Sequence, residues 1–521
     1  MHDPMTHLSR LDWFVIASYI GFLVVVGALF SRRRLRSVDY FLASRASRWT
    51  LVGLASFASN MSPTALVGLA GGAYAMGLAV YDYEWSAVPI LVFFCVFMVP
   101  VVIASQSYTM PEFLERRYDR RARLLFAIMT LFLIVFVDSA GVLYSAALVC
   151  QLLVPALPLS LIVLVIAGAA GAYTITGGLR AVMYTEAVQA LVLLAGAALI
   201  SAGALERVGG WHAIRAGLDP GLLSLIRPIG AASVPWPGLL FGIPILGFYY
   251  WCTNQSIVQR VLSARDIDHA RWGTLFTGLL KLPVLFLMVL PGLCAILLIP
   301  NLGQTDRVYP QLILLLLPAG ALGLVVAGFL AAAIVASASM FNSAASLITL
   351  DVIKVISPKR SDRELVRAGR WTTAGLIVFA IAWAPQLVSF ASLWQYLQSV
   401  LAYTVPPVVT VFMAGLFWRR ASSDAAALTL AGGFAAGAAL FVVNVLLHWT
   451  HVHFLYAATL LCGLDTVILV TISVRGGERI TPARAAVMWR SERPAARGWR
   501  DYRYQAAALL ALTLWLVFEF R

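Results

Sequence analysis

Long apolar runs alternate with short polar loops along the whole chain. A helix needs about 20 apolar residues to cross the hydrocarbon core of a bilayer. The pattern therefore predicts an all-α polytopic membrane protein with about 14 transmembrane helices. The runs lie at residues 12–30, 49–76, 84–104, 122–151, 157–176, 180–205, 236–259, 272–299, 320–349, 371–387, 393–418, 424–447, 452–474 and 502–520.

Two of these runs contain helix-breaking residues near their middle. In the second run, Pro63 lacks a backbone donor and disfavours helical geometry at Ser62. In the seventh run, residues 242–247 contain two glycines and Pro244. Broken helices at matching places in two halves are the sequence sign of an inverted-repeat transporter with a midplane site. A proline kink that neighbouring helices relieve is the alternative interpretation.

Composition agrees with a membrane protein, because 61% of the residues are hydrophobic and 12% are charged. Soluble domains carry roughly 25% charged residues. The net charge of +14 does not indicate a nucleic-acid partner, since the basic residues lie in short loops and no nucleic-acid-reading motif is present. We expect membrane lipid and a small-molecule substrate as partners.

The basic residues also predict the orientation. Most of the 38 Lys and Arg residues fall in alternate loops, around residues 31–48, 116–123, 260–271, 354–370 and 475–503. Such loops face the cytoplasm. We therefore expect a multi-pass protein of the cell (plasma or inner) membrane with both termini on the outer side. The first run is followed by Arg32 to Arg34, which indicates a retained helix and no cleaved signal peptide.

Four ionisable residues fall inside apolar runs. Each costs at least about 2.5–3.5 kcal/mol at the bilayer centre, so each needs a partner or a polar cavity. We expect Glu84 to pair with Lys281, offering donors and acceptors to substrate hydroxyl groups. Asp138 needs a partner, a cation or a proton, whereas Glu186 near a helix end could pair with Arg180.

Little in the sequence indicates an enzyme or an ATP-driven pump. The five cysteines form no CxxC pair, and no phosphate-cradling loop is present. His448, His451 and His453 form one histidine group, which we interpret as a solvated loop. No cofactor is expected. A channel remains the alternative from another class of protein.

A series of motifs runs through most of the chain in a recognisable order. In this order and spacing they resemble the sodium:solute symporter family, and within it the sodium/glucose cotransporters. The motifs lie at residues 39–43, 58–62, 77–80, 83–85, 108–117, 177–182, 184–186, 250–255, 258–262, 342–343, 351, 398, 406–407 and 417–418.

The resemblance implies a LeuT-like five-plus-five inverted-repeat fold, which couples sodium entry to solute uptake by alternating access. It divides one transmembrane domain, residues 1–521, into an extra N-terminal helix (1–48), repeat 1 (49–205), repeat 2 (236–420) and additional C-terminal helices (421–521). A monomer is expected to be sufficient for function.

The resemblance also implies a sugar site. Tyr250 and Trp251 correspond to the aromatic plate under the sugar ring, a role that suits a pyranose with one apolar face. Ala65, Ala87 and Gly247 stand where some sugar transporters have polar residues, so a sugar, an inositol-like polyol and another neutral solute remain open. The positions matching the family's sugar contacts are Asn60, Tyr83, Glu84, Tyr250, Trp251, Lys281 and Gln398.

The cation site matches the family only in part. Ala58 and Met61 match the residues that donate backbone carbonyls, but Val335 and Ala336 occupy the usual hydroxyl positions. We expect sodium as the coupling ion, held by those carbonyls with nearby Ser337 and Ser339, and bound weakly. Proton coupling through Asp138 or Glu186 and uncoupled transport are the alternatives.

Overall fold

The computed structural model describes residues 8–30, 45–107, 109–174, 179–357, 359, 361–390, 392–478, 480–490 and 498–521. Within these ranges the regular structure is helical, and β-pairing is limited to two isolated bridges. The predicted all-α class is therefore confirmed. The motifs at 39–43 and 177–178 lie outside the described residues.

The helices are α1 Arg10–Phe30, α2 Trp49–Asn60, α3 Pro63–Met76, α4 Asp82–Trp85, α5 Ala87–Phe93, α6 Val99–Ser105, α7 Met110–Arg117, α8 Arg120–Leu133, α9 Ala140–Leu153, α10 Leu159–Thr174, α11 Leu179–Val208, α12 Trp211–Gly217, α13 Ile243–Phe248, α14 Gln255–Leu262, α15 Ile267–Lys281, α16 Leu290–Leu298, α17 Val308–Leu316, α18 Ala321–Ser346, α19 Lys354–Ile356, α20 Asp362–Trp383, α21 Leu393–Thr404, α22 Pro406–Phe417, α23 Ser423–Phe441, α24 Phe454–Gly476, α25 Pro482–Ala486 and α26 Tyr502–Glu519.

Eight helices in the described ranges are long and apolar enough to cross a membrane, or nine if the bent pair α21 and α22 counts as one span. The predicted number of about 14 is therefore not confirmed. Broken helices and short apolar helices are not long enough to count as spans. In addition, the stretch Pro63–Ser105 counts once although it holds 43 residues. At 1.5 Å per residue this stretch is roughly 65 Å long, about twice the hydrocarbon thickness. Gly77, with φ of 71°, interrupts it between the two predicted runs.

The first predicted break is present where expected. Helix α2 ends at Asn60 and α3 begins at Pro63, with Ser62 in an extended conformation between them. Pro63 suits the first turn of a helix, where its missing donor has no intrahelical acceptor anyway. The regular intrahelical hydrogen bonds of α2 and α3 are thus interrupted at residues 60–62.

The second break is not where we expected it. Residues Gly238–Gly242 form a π-turn, and the helix continues through Pro244 to a second π-turn at Tyr249–Thr253. The chain becomes extended at Asn254, whose side chain accepts a hydrogen bond from the Ser256 amide at 2.9 Å and caps α14. The helix tolerates the amide donor that Pro244 lacks, because the π-turn before it changes the hydrogen-bonding register. The prediction of a break at 242–247 is therefore wrong by several residues.

Close packing aligns the first broken helix with α15. A side chain on Gly273 would lie 2.7 Å from Val52 Cγ1, so the two backbones approach as only small residues permit. Thr277 donates to the carbonyl of Gly53 at 3.2 Å. This packing brings Lys281, the last residue of α15, beside the break at Asn60.

The N-terminal helix is tied to α18. One carboxylate oxygen of Asp12 accepts hydrogen bonds from the amides of Gly320, at 2.7 Å, and Gly323, at 2.8 Å. These amides belong to the start of α18, where free donors and the helix dipole favour an anion. Asp12 is fully buried.

Candidate functional site

A cavity of about 110 Å³ lies at the first break. That volume holds several water molecules or a small polar solute. Its walls come from α2, α3, α4, α21 and the two π-turns Ile134–Ser139 and Tyr249–Thr253. The sequence-predicted residues that line it are Asn60, Tyr83, Glu84, Asp138, Tyr250, Trp251 and Gln398.

Lys281 stands behind this wall and organises it. The side chain is completely buried and donates to Glu84 Oε2 at 2.6 Å and to Asn60 Oδ1. The predicted contact between Lys281 and Glu84 is thus present. Because the pair sums to zero charge, it presents donors and acceptors to the cavity without a net charge.

Tyr250 and Trp251 form an aromatic pair in the cavity wall. The rings of Tyr250 and Trp251 lie 5.3 Å apart at 72°, an edge-to-face arrangement. The ammonium of Lys281 is 4.9 Å from the centre of the Trp251 ring, within cation–π distance. Both rings line the cavity, so an apolar face of a solute can pack there.

Sequence reasoning missed Trp394, which closes the cavity on another side. Its ring meets Tyr83 edge to face at 5.4 Å. Both residues also line a second cavity of about 380 Å³ that contains Arg227, so the pair separates two cavities. The available signal was spacing, because Trp394 is one helical turn before Gln398 and shares its face.

The three departures from the family's polar contacts fall in different places. Ala65 and Gly247 line the cavity, whereas Ala87 is buried outside it. The first two enlarge the apolar part of the wall.

The predicted cation ligands offer an incomplete set of oxygens. Ala58 lies in the last turn of α2, whose carbonyl groups lack helical partners. Ser337 is fully buried, and its Oγ has no hydrogen-bond partner among the described residues. Met61 is buried and Ser339 half-buried. An orphaned hydroxyl fits a hard cation, and the neighbours Val335 and Ala336 add no side-chain oxygen.

Glu186 connects the two broken helices. It accepts from Arg260 Nε at 3.0 Å, with a second contact to the same guanidinium, and from Ser59 Oγ at 3.4 Å. Ser59 precedes the first break, and Arg260 follows the second in α14. The structure thus pairs Glu186 with Arg260; the Arg180 side chain is outside the described part. Asp138 stands apart, in the cavity wall.

Asp306, which lies between the spanning segments, is a buried carboxylate that joins its own segment to α9 and α21. Asp306 accepts from the Leu393 amide at 3.1 Å, at the start of α21, and from the Tyr144 hydroxyl of α9 at 3.3 Å. Burial raises the pKa of Asp306 to about 6 although both hydrogen bonds favour its ionised form.

Interrupted helices around a hydrogen-bonding cavity define a membrane transporter for small polar solutes. The sequence profile of the sodium:solute symporter family matches residues 40–433. The chain belongs to the sodium:solute symporter family, so it is a transporter and not an enzyme.

Individual proteins agree with this assignment. A sodium/mannose cotransporter of Bos taurus is 34% identical over 521 residues, which are 89% of this chain and 87% of the relative. Sodium/glucose cotransporter 2 of Rattus norvegicus is 33% identical over 526 residues, covering 89% and 78%.

A solved structure agrees as well. The substrate-bound, outward-open structure of a Na⁺-coupled sialic acid symporter superposes with a TM-score of 0.76 at 20% identity, covering 90% of this chain and 98% of that one. At this identity the likeness shows the shared fold. The predicted LeuT-like fold is confirmed.

Proposed function

We propose that the chain imports a small neutral sugar or polyol together with sodium, by alternating access across the cell membrane. The observation that carries this proposal is the buried network of Lys281, Glu84 and Asn60 at a helix break, beside two aromatic rings. Two of its relatives are a sodium/mannose and a sodium/glucose cotransporter, which supports a hexose-like solute.

The chemistry of the wall suits a polyhydroxy solute. Glu84 accepts from hydroxyl groups, and the amides of Asn60 and Gln398 both donate and accept. Lys281, behind the wall, holds Glu84 and Asn60 in place for these contacts. An anionic solute would meet no free cation among the described residues that line the cavity, because Lys281 is already paired with Glu84. A pyranose or cyclitol can place its apolar face on Tyr250 while its edge reaches the polar groups.

Sodium is proposed as the coupling ion, held by carbonyl groups of Ala58 and Met61 and by the hydroxyl groups of Ser337 and Ser339. Family membership supports it, and the orphaned Oγ of Ser337 fits it. A bound sodium would hold the end of α2 against α18 and so stabilise one shape of the cavity. The incomplete hydroxyl set predicts weak binding.

Two carboxylates offer another route of coupling. Asp138 lies in the cavity wall and Glu186 touches both broken helices, so either could carry a proton in place of sodium.

The aromatic pair Tyr83 and Trp394 is proposed to close the cavity on one side and Tyr250 with Trp251 on the other. We propose that both termini face outwards and that one chain is sufficient.

Uptake by the purified protein in sealed vesicles tests the proposal. Radiolabelled D-glucose, D-mannose and myo-inositol are offered with an inward sodium gradient, an inward proton gradient or neither. Uphill accumulation that requires sodium is expected for at least one solute. Accumulation driven only by the proton gradient would show that protons and not sodium are the coupling ion. Equilibration without accumulation under every gradient would indicate an uncoupled transporter or a channel.

A further inference from the structure

A groove of about 580 Å³ opens on the outside of the bundle between α2, α15 and α26. It is larger than the central cavity and does not adjoin it. Most of its lining is apolar, including Trp49, Trp272 and Phe276. Trp49, Leu279 and Leu512 are each more than a third exposed, so the groove faces the lipid.

The groove is polar at one end only. The three helices begin beside basic loops, and Arg500 lies two residues before α26. Arg500 is the single cation among the lining residues. Its carbonyl accepts from Trp272 Nε1 at 2.9 Å, which ties this end of α26 to α15. Tryptophan and arginine at one level are typical of the membrane interface.

The rest of the groove is mainly apolar and follows α15 and α26 away from the basic loops. Leu279 is seven residues beyond Trp272 along α15, which places it roughly 10 Å deeper. Leu512 lies ten residues beyond the start of α26, roughly 15 Å deeper. Ala508 adds almost no volume between these levels, which keeps the groove open.

We propose that this groove binds one anionic phospholipid from the leaflet next to the basic loops. Its phosphate pairs with Arg500 and an acyl chain lies along Phe276, Ala508 and Leu512. The charge at the rim and the apolar depth match the two parts of such a lipid. The buried Arg271, whose guanidinium lies 4.3 Å from the Tyr502 ring, interacts with the buried carboxylate of Asp501. Arg500 is therefore the cation that the rim offers to a phosphate.

Size argues against a partner helix as the occupant. A single spanning helix about 10 Å wide and 30 Å long fills roughly 2,400 Å³. The groove measures about 580 Å³ and would hold only a strip of it. A flexible acyl chain fills a narrow groove more completely.

Lipid retention tests the proposal independently of transport. The protein is purified in mild detergent, delipidated and incubated with mixed micelles of phosphatidylglycerol or of phosphatidylcholine. Bound lipid is counted by mass spectrometry of the intact complex. The wild-type protein should retain more phosphatidylglycerol than phosphatidylcholine. Ala508→Trp should lose it, whereas Ala507→Trp, an equally exposed neighbour outside the groove, should not.

Two variants that each remove one arginine charge distinguish recognition of the lipid headgroup from binding of its acyl chain. Arg500→Gln should reduce the preference for phosphatidylglycerol about fivefold, while Arg475→Gln at another exposed basic position should leave it unchanged. Equal retention by the two tryptophan variants, or equal binding of both lipids by wild type, overturns the proposal. So does a co-purifying peptide that Ala508→Trp removes. If Ala508→Trp does not fold, the arginine pair decides the outcome.

Discussion

Lys281 shows how one residue can serve both folding and the site. It is buried at the end of α15, and its partners Glu84 and Asn60 belong to two other elements. Gln398 differs, because it lines the cavity and forms no hydrogen bond with this network within the described residues. Substitutions at the two positions should therefore separate stability from transport.

We predict that Lys281→Ala abolishes uptake and lowers the free energy of unfolding by about 3–5 kcal/mol, because Glu84 is left as an unpaired buried charge. Adding Glu84→Ala should recover much of that stability and none of the transport. Thermal unfolding and vesicle uptake measure the two effects. If the double variant transports normally, the assignment of this pair to the substrate site is wrong.

Gln398→Ala is expected to abolish uptake while changing the free energy of unfolding by no more than about 0.5 kcal/mol. Gln395→Ala is the matched control, since Gln395 is on the same helix, exposed, and outside the central cavity. Similar uptake by both variants would remove Gln398 from the site.

The proposed cation site leads to a prediction of a gain of function at the same scale. Ala336→Ser or Val335→Thr adds a hydroxyl next to Ser337 at little cost in volume, and a hard cation gains an oxygen ligand. The sodium concentration for half-maximal uptake should fall several-fold. Ser337→Ala should raise it. Wild-type saturation at low millimolar sodium would contradict the weak site that we propose.

At the scale of helices, the free-energy cost of burying charged or unpaired polar groups in the membrane made some features predictable and left others unpredictable. The contact of Glu84 with Lys281 follows from the cost of burying either charge alone, and Pro63 marks its break directly. The break predicted at Pro244 was wrong because a π-turn can accommodate a residue that has no amide donor. Trp394 was missed because a tryptophan in an apolar run resembles ordinary packing. The paths of interrupted spans depend on tertiary contacts, so fourteen runs do not become fourteen uniform helices.

The second break is maintained by a local cap. Asn254→Ala removes the acceptor for the Ser256 amide and should lower the free energy of unfolding by about 1 kcal/mol. Asn254→Ser keeps an acceptor and should lose much less. Thermal unfolding in detergent compares the two. Equal stability of both variants would show that tertiary packing alone sets this break.

For the whole molecule, Asp306 links the segment after α16 to both α9 and α21. Its pKa of about 6 in the folded protein exceeds the unfolded value of about 3.9. The folded state thus binds more protons between these values, and stability falls as the pH rises through them. The contribution is complete below about pH 4 and lost above pH 6.

We therefore predict that Asp306→Asn flattens the decline in unfolding free energy between about pH 4 and pH 6. The asparagine keeps an oxygen that accepts from the Leu393 amide but does not titrate. The difference in melting temperature between wild type and variant, measured across this range, checks it. Glu519→Gln at an exposed position is the control. A difference that does not vary with pH would contradict the prediction.

The carboxylate of Asp12 carries a practical consequence for handling the protein. It precedes the region shared with the family, yet it holds the start of the helix that bears Ser337 and Ser339. A truncation at the amino terminus that removes Asp12 would leave these two amides at the start of α18 without their acceptor, close to the helix that carries the proposed cation ligands. An affinity tag is therefore better placed at the opposite end of the chain.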